Sequence, residues 1–241
     1  MADSPSLPIV LVPGLLGSPR LYAEQIPELW RTGPVILADH TRDDSMGAIA
    51  RRILESAPGR FALAGLSMGG YICFELLRQA PERIASLVLL DTSARPDTAE
   101  LSEQRRSQIE MAREGRLAEL SDMLFPRWVH ARRWGDESLR RTLRAMAQEV
   151  GVAAFARQQM AIIGRPDSRP GLAAIRCPTL VIVGDGDMVT PPERAEEIAN
   201  GIARARLSVI RDSGHLSTLE QPAAVTRSMV EFLTAQAGEM T

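Results

Sequence analysis

The stretch Phe61-Ala62-Leu63-Ala64-Gly65-Leu66-Ser67-Met68-Gly69-Gly70 decides how this chain is read. Its apolar start, Phe61–Ala64, predicts a buried strand, and the residues from Met68 to about 80 carry helical periodicity closed by Pro81. Between them stands Gly-x-Ser-x-Gly, a pattern that acquires chemical meaning in a strand-to-helix setting. A serine on so tight a turn is held in strained backbone geometry with its hydroxyl above a sheet. Small residues at 65 and 69 let strand and helix approach without side-chain collision. The helix N-terminus turns its N–H groups toward developing negative charge. Ser67 is therefore the candidate nucleophile.

Working outward, short apolar runs alternate with amphipathic segments. Strands are expected at Ile9–Val12, Val35–Ala38, Leu87–Leu90, Thr179–Val183 and Leu207–Ile210, with helices near 46–56, 192–203 and 221–236. Near-continuous apolar strands imply burial on both faces, the mark of a parallel sheet covered by helices. The expected class is α/β, a doubly wound, mostly parallel sheet. The rhythm breaks between about 95 and 170, where helical patterns at Leu101–Leu120 and Glu137–Val150 predict a helical insertion.

Composition removes competing chemistries. All 28 basic residues are arginine, so Schiff-base, pyridoxal-phosphate and Walker-A mechanisms lack their lysine. A formal net charge of −2 without a basic block argues against nucleic-acid binding. Cys73 and Cys177 offer neither a disulfide framework nor metal-ligand spacing, so no metal is expected. No apolar run approaches the ~20 residues that cross a bilayer. The start Met1-Ala-Asp-Ser-Pro lacks a basic leader, so no membrane association and a cytoplasmic location are expected. The oligomeric state is left open.

A serine hydroxyl needs a base, and the chain has three histidines, His40, His130 and His215. His215, a few residues past the last strand in Asp212-Ser213-Gly214-His215, is placed to reach the nucleophile. Gly184-Asp185-Gly186-Asp187 offers two carboxylates to orient that base. Asp91 is a third candidate, and spacing alone does not choose among them.

These motifs together resemble the α/β-hydrolase superfamily over nearly the whole chain, with the enol-lactonase-like and small carboxylesterase branch closest in flavour. Gly184-x-x-Asp187 with Pro191 resembles that family's acid loop, and Ser213-Gly214-His215-Leu216 with Glu220-Gln221-Pro222 resembles its histidine loop and final helix. The resemblance implies Ser67 as nucleophile, His215 as general base and Asp187 as orienting acid. It implies an oxyanion hole made by the backbone amides of Met68 and Leu15, with Leu16 the one-residue alternative. It divides the chain into a core, 1–94 and 170–241, and a helical cap, 95–169. Three departures stand out. Pro13 replaces a histidine common in the family, and Asp39-His40-Thr41-Arg42-Asp43-Asp44 replaces a glycine-rich signature. The short N-terminal segment also leaves no room for an N-terminal hairpin.

The expected function is cleavage of a small carboxylic ester or lactone through an acyl-enzyme, without a cofactor. Carbon–carbon-bond hydrolysis, thioester hydrolysis and cofactor-free perhydrolysis use the same three residues, and a non-catalytic ligand receptor is the reading of another class. Twelve of the arginines fall between 105 and 165, within the insertion, and suggest a carboxylate-bearing substrate. Leu16, Trp128 and His130 are candidate substrate contacts, and Trp134 a candidate for an apolar wall.

Overall fold

The computed structural model describes residues 7–238; the reading of the first five residues lies outside them. Six strands form one sheet: β1 (Ile9–Val12), β2 (Val35–Leu37), β3 (Phe61–Leu66), β4 (Ile84–Leu90), β5 (Thr179–Gly184) and β6 (Ala205–Ile210). Their order is β2-β1-β3-β4-β5-β6 and every neighbouring pair is parallel. Among the described residues no hairpin precedes β1. All six predicted strands are present, and β3 continues through Leu66, so the serine follows the strand without a linker.

The helices are α1 (Ile26–Trp30), α2 (Met46–Ser56), α3 (Met68–Gln79), α4 (Ala99–Met111), α5 (Leu117–Trp128), α6 (Glu137–Ile163), α7 (Pro192–Gly201), α8 (Ser217–Glu220) and α9 (Pro222–Gly238). Strand residues alternate between two cores, as a period of two requires. Val10, Val12, Leu63 and Val181 pack with Ile49, Ile72 and Ile198 of α2, α3 and α7. Ile9, Leu11, Ala64 and Ile182 pack with Leu29, Met229 and Phe232 of α1 and α9 on the other face. The central strands β1, β3, β4 and β5 are thus covered on both sides, which explains their apolar runs, whereas the edge strands β2 and β6 are part-exposed, with Leu207 and Val209 of β6 facing solvent.

The insertion between β4 and β5 is helical. The pattern at Leu101–Leu120 is not one helix, because Gly115 takes φ 83° and divides it between α4 and α5. Gly151, at φ 75° and ψ 167°, likewise kinks α6 after Val150, where the sequence pattern stops. A third core, including Leu16, Leu117, Leu120, Ala147 and Phe155, seats these helices on the loop after β1. The short α1 escaped the sequence reading because five residues carry too little periodicity.

Candidate active site

Ser67 leaves β3 with φ 55° and ψ −115°, a left-handed conformation unusual for a non-glycine residue. Close packing enforces this turn: a Cβ on Gly69 would run into the Val12 carbonyl, and one on Gly65 into the Gly69 backbone. The serine is held further by Leu90, whose carbonyl accepts the Ser67 N–H at 2.9 Å. Its own carbonyl accepts from Thr92 Oγ1 at 2.8 Å.

Ser67 Oγ lies 2.8 Å from His215 Nε2, and His215 Nδ1 lies 2.8 Å from Asp187 Oδ2. Asp187 and His215 are buried, and Ser67 is half-buried at the floor of an open cleft. Asp187 also accepts hydrogen bonds from the Val189 and Thr190 amides at 2.7 and 3.0 Å and from Thr190 Oγ1 at 2.8 Å. Asp185 is exposed and accepts from the Ser213 amide. Asp91 is fully buried, takes the Gly184 N–H at 2.9 Å and bonds the Ser217 hydroxyl, so it links β4 to the acid and histidine loops.

Charge follows burial and contact. Burial acts to lower the His215 pKa, but the charge and hydrogen bond of Asp187, with smaller effects from Asp91 and Glu220, outweigh it and raise the value above the ordinary range. Burial acts to raise Asp187, yet the His215 charge and the bonds from His215 and Thr190 hold it low. Asp91 is pushed up to about 8, by burial first and then by the Asp187 charge, so it is mainly neutral at pH 7.

The loop after β1 closes over the serine. Gly17 N–H donates to the Gly14 carbonyl at 2.9 Å, with Leu15 and Leu16 at the corners and Leu16 at φ 56°. Leu16 N–H donates to Gln158 Oε1 at 3.1 Å, and its side chain is buried in the third core. It therefore neither lines the cavity nor offers a free amide. Among the described residues, the Leu15 and Met68 amides have no hydrogen-bond acceptor, and Leu15 lines the cavity beside Ser67. Met68 is the first residue of α3, so its N–H is one that the helix leaves unpaired.

His40 stands behind this loop, buried, with its pKa lowered by burial. Its Nε2 lies 2.9 Å from the Gly14 carbonyl and 3.0 Å from Gln158 Nε2. One ring nitrogen cannot donate to the first and accept from the second at once, so the tautomer selects between them. His130 lies outside the cavity, at the cap of a short turn, with its ring against Gly186. Its amide and those of Gly214 and Leu216 are received by the buried carboxylate of Glu220 at 2.7, 2.9 and 3.3 Å.

The cavity above Ser67 holds about 300 Å³. Trp128 forms part of its wall, with Leu21, Leu66, Leu124, Met146 and Ile162. Trp134 does not; it is half-exposed and donates to the Pro126 carbonyl. Gln158 and Thr190 were not anticipated from sequence as parts of the site, and Glu220 was read there as part of the histidine-loop motif without a role of its own. No cluster of metal-ligating side chains occurs among the described residues, and no described helix is long and apolar enough to cross a membrane.

A strained serine between strand and helix, facing a histidine–carboxylate pair on two later loops of a parallel sheet, describes a known class of protein. Residues 8–222 match the model of the alpha/beta hydrolase fold family, and the chain belongs to that family. It is a hydrolytic enzyme. Among solved structures it is similar to a thermophilic esterase from Thermogutta terrifontis in malate-bound form, with 32% identity, TM-score 0.90 and coverage of 97% of this chain and 91% of the other. It is also similar to the enol-lactonase from Burkholderia xenovorans LB400, with 26% identity, TM-score 0.84 and coverage of 97% and 94%. A curated relative from Pseudomonas savastanoi, provisionally named carbamate hydrolase RutD, is 28% identical over 98% of this chain and 96% of its own length.

Proposed function

We propose that the protein cleaves a small carboxylic ester or lactone through an acyl-enzyme on Ser67. The observation that carries this reading is the continuous chain Ser67 Oγ, His215, Asp187, with both hydrogen bonds at 2.8 Å. His215 Nε2 takes the serine proton as Oγ attacks the substrate carbonyl, and Asp187 fixes the tautomer and stabilises the imidazolium. The Leu15 and Met68 amides receive the oxyanion. His215 then returns the proton to the departing alcohol or enolate oxygen. Water, deprotonated by the same imidazole, attacks the acyl-enzyme and frees Ser67.

The similarity to an esterase and an enol-lactonase supports the ester-type bond, and the cavity size supports a small substrate. The helices of 95–169 act as a cap that forms the cavity's far wall. The test is a panel of short-chain esters and lactones followed by pH-stat. Wild type turns over at least one member, and Ser67→Ala reduces that rate to background. Turnover that survives Ser67→Ala rejects the acyl-enzyme.

A further inference from the structure

Five arginines of the insertion pair with an acid one turn away, Arg106–Glu103, Arg113–Glu110, Arg116–Glu119, Arg133–Asp136 and Arg140–Glu137. Others turn to the cavity. Among the described residues, the cavity above Ser67 is lined by Arg95, Arg105, Arg127, Arg165 and Arg194 and by no acidic side chain. Their balance is uneven. Arg95 is neutralised by Glu197 through two bonds of 2.9 Å, but Arg105 and Arg165 share one carboxylate, Asp97, at 2.9 and 2.7 Å. That trio therefore keeps one unbalanced positive charge, with side-chain exposures of 18% for Arg105, 7% for Arg165 and 1% for Asp97.

The trio is also rigid. Arg165 donates to the Arg95 and Ile162 carbonyls, each at 3.0 Å, and lies 4.3 Å over the Tyr71 ring. Arg105 donates to Gln159 Oε1 at 2.8 Å. In neither guanidinium does Nη2 make a hydrogen bond among the described residues. A poorly solvated positive charge with free, pre-oriented donors at the edge of an apolar cavity is a binding site for an anion, and a planar fork suits a carboxylate.

We infer that the substrate carries a carboxylate besides the scissile bond, and that Arg105 and Arg165 receive it. Arg127, exposed and without an ion pair among the described residues, adds attraction at the cavity wall. This rests on the hydrolase reading and narrows it to acidic esters and lactones.

Matched esters test the inference and show on which side of the scissile bond the carboxylate sits. Monomethyl adipate against methyl hexanoate probes the acyl side; 4-acetoxybenzoate against its methyl ester probes the alcohol side. In one pair the acid is expected to exceed its neutral partner in kcat/KM by about tenfold or more, the scale of a charge-assisted hydrogen bond. Arg105→Met leaves Arg165 and Asp97 as a balanced pair, and should raise KM for the acid about tenfold more than for its neutral partner. If that variant does not fold, Arg105→Lys, which keeps the charge and loses the fork, is read in the same way. Neutral esters cleaved as well as acids in both pairs, or an Arg105 variant that affects both alike, overturns the inference while leaving a labelled, ester-cleaving enzyme intact. Absence of both hydrolysis and fluorophosphonate labelling overturns the hydrolase reading and this inference with it.

Discussion

Gln158, on the longest helix of the insertion, accepts the Leu16 backbone N–H at 3.1 Å across 142 residues of chain. The bond does two things. It satisfies a buried amide in a turn whose second corner has positive φ, and it leaves Leu15 as the free amide of that turn. The inserted helices thereby hold the geometry of the loop beside the serine. Gln158→Met preserves volume and removes the acceptor. It is expected to lower kcat about tenfold, a fraction of the 10²–10³ lost with a whole oxyanion donor, and to leave KM unchanged. Affinity for a boronic-acid transition-state analogue should fall with kcat; a variant with wild-type kcat contradicts the assignment.

The His215–Asp187 contact sets the pH dependence. The proposed mechanism needs neutral His215, and its pKa is raised above 6.5 because Asp187 outweighs burial. The acid limb of kcat/KM should therefore have a midpoint above 6.5. Asp187→Asn removes the charge that raises His215, so the limb should move to lower pH while kcat falls by roughly 10²–10⁴. Asp185→Asn, at an exposed position, should change neither. Steady-state profiles of the three proteins decide this, and the reverse pattern would move the acid by two residues.

Asp91 makes a prediction about stability. Its folded pKa, about 8, exceeds the ordinary carboxylate value of 3.8, so the folded state holds this proton more tightly than the unfolded one. For a raised acid, the stability contribution is present below the unfolded pKa and is lost as pH rises toward the folded value. Asp91→Asn keeps an acceptor for Gly184 N–H and a donor for Ser217. Its Tm relative to wild type should therefore rise between pH 6 and pH 9. A difference that does not change with pH would contradict a neutral Asp91.

Gly69 tests the packing of the serine turn. Gly69→Ala places a methyl against the Val12 and Pro13 carbonyls, which are backbone and cannot rotate away. The cost expected for such overpacking is about 1–3 kcal/mol, seen as a Tm lower by several degrees. Tm unchanged within a degree would mean that β1 and α3 are less closely packed.

The fold was legible because its signals are local. Each strand is an apolar run, and Gly65-x-Ser67-x-Gly69 lies where the strand ends. Helix lengths were harder: Leu101–Leu120 reads as periodic, but periodicity does not register the single positive φ at Gly115. The choice between Asp185 and Asp187 was invisible to spacing and rested on family resemblance; in the structure one side chain is exposed and the other touches His215. Gln158 and the Arg105–Asp97–Arg165 trio escaped for another reason. Each joins residues more than fifty positions apart or crosses from one helix to another, and one sequence carries no record of such contacts. The excess of arginine in the insertion was visible, but only the structure separates surface pairs from those facing the cavity.

In the proposed mechanism Ser67 is a nucleophile activated by His215. Intact-mass measurement after treatment with a fluorophosphonate tests it most directly. Wild type is predicted to gain one probe mass, mapped to Ser67, with His215→Ala labelled far more slowly and Ser67→Ala, still folded, not labelled. A folded wild type that gains no mass, or a Ser67→Ala protein that gains as much, would contradict it.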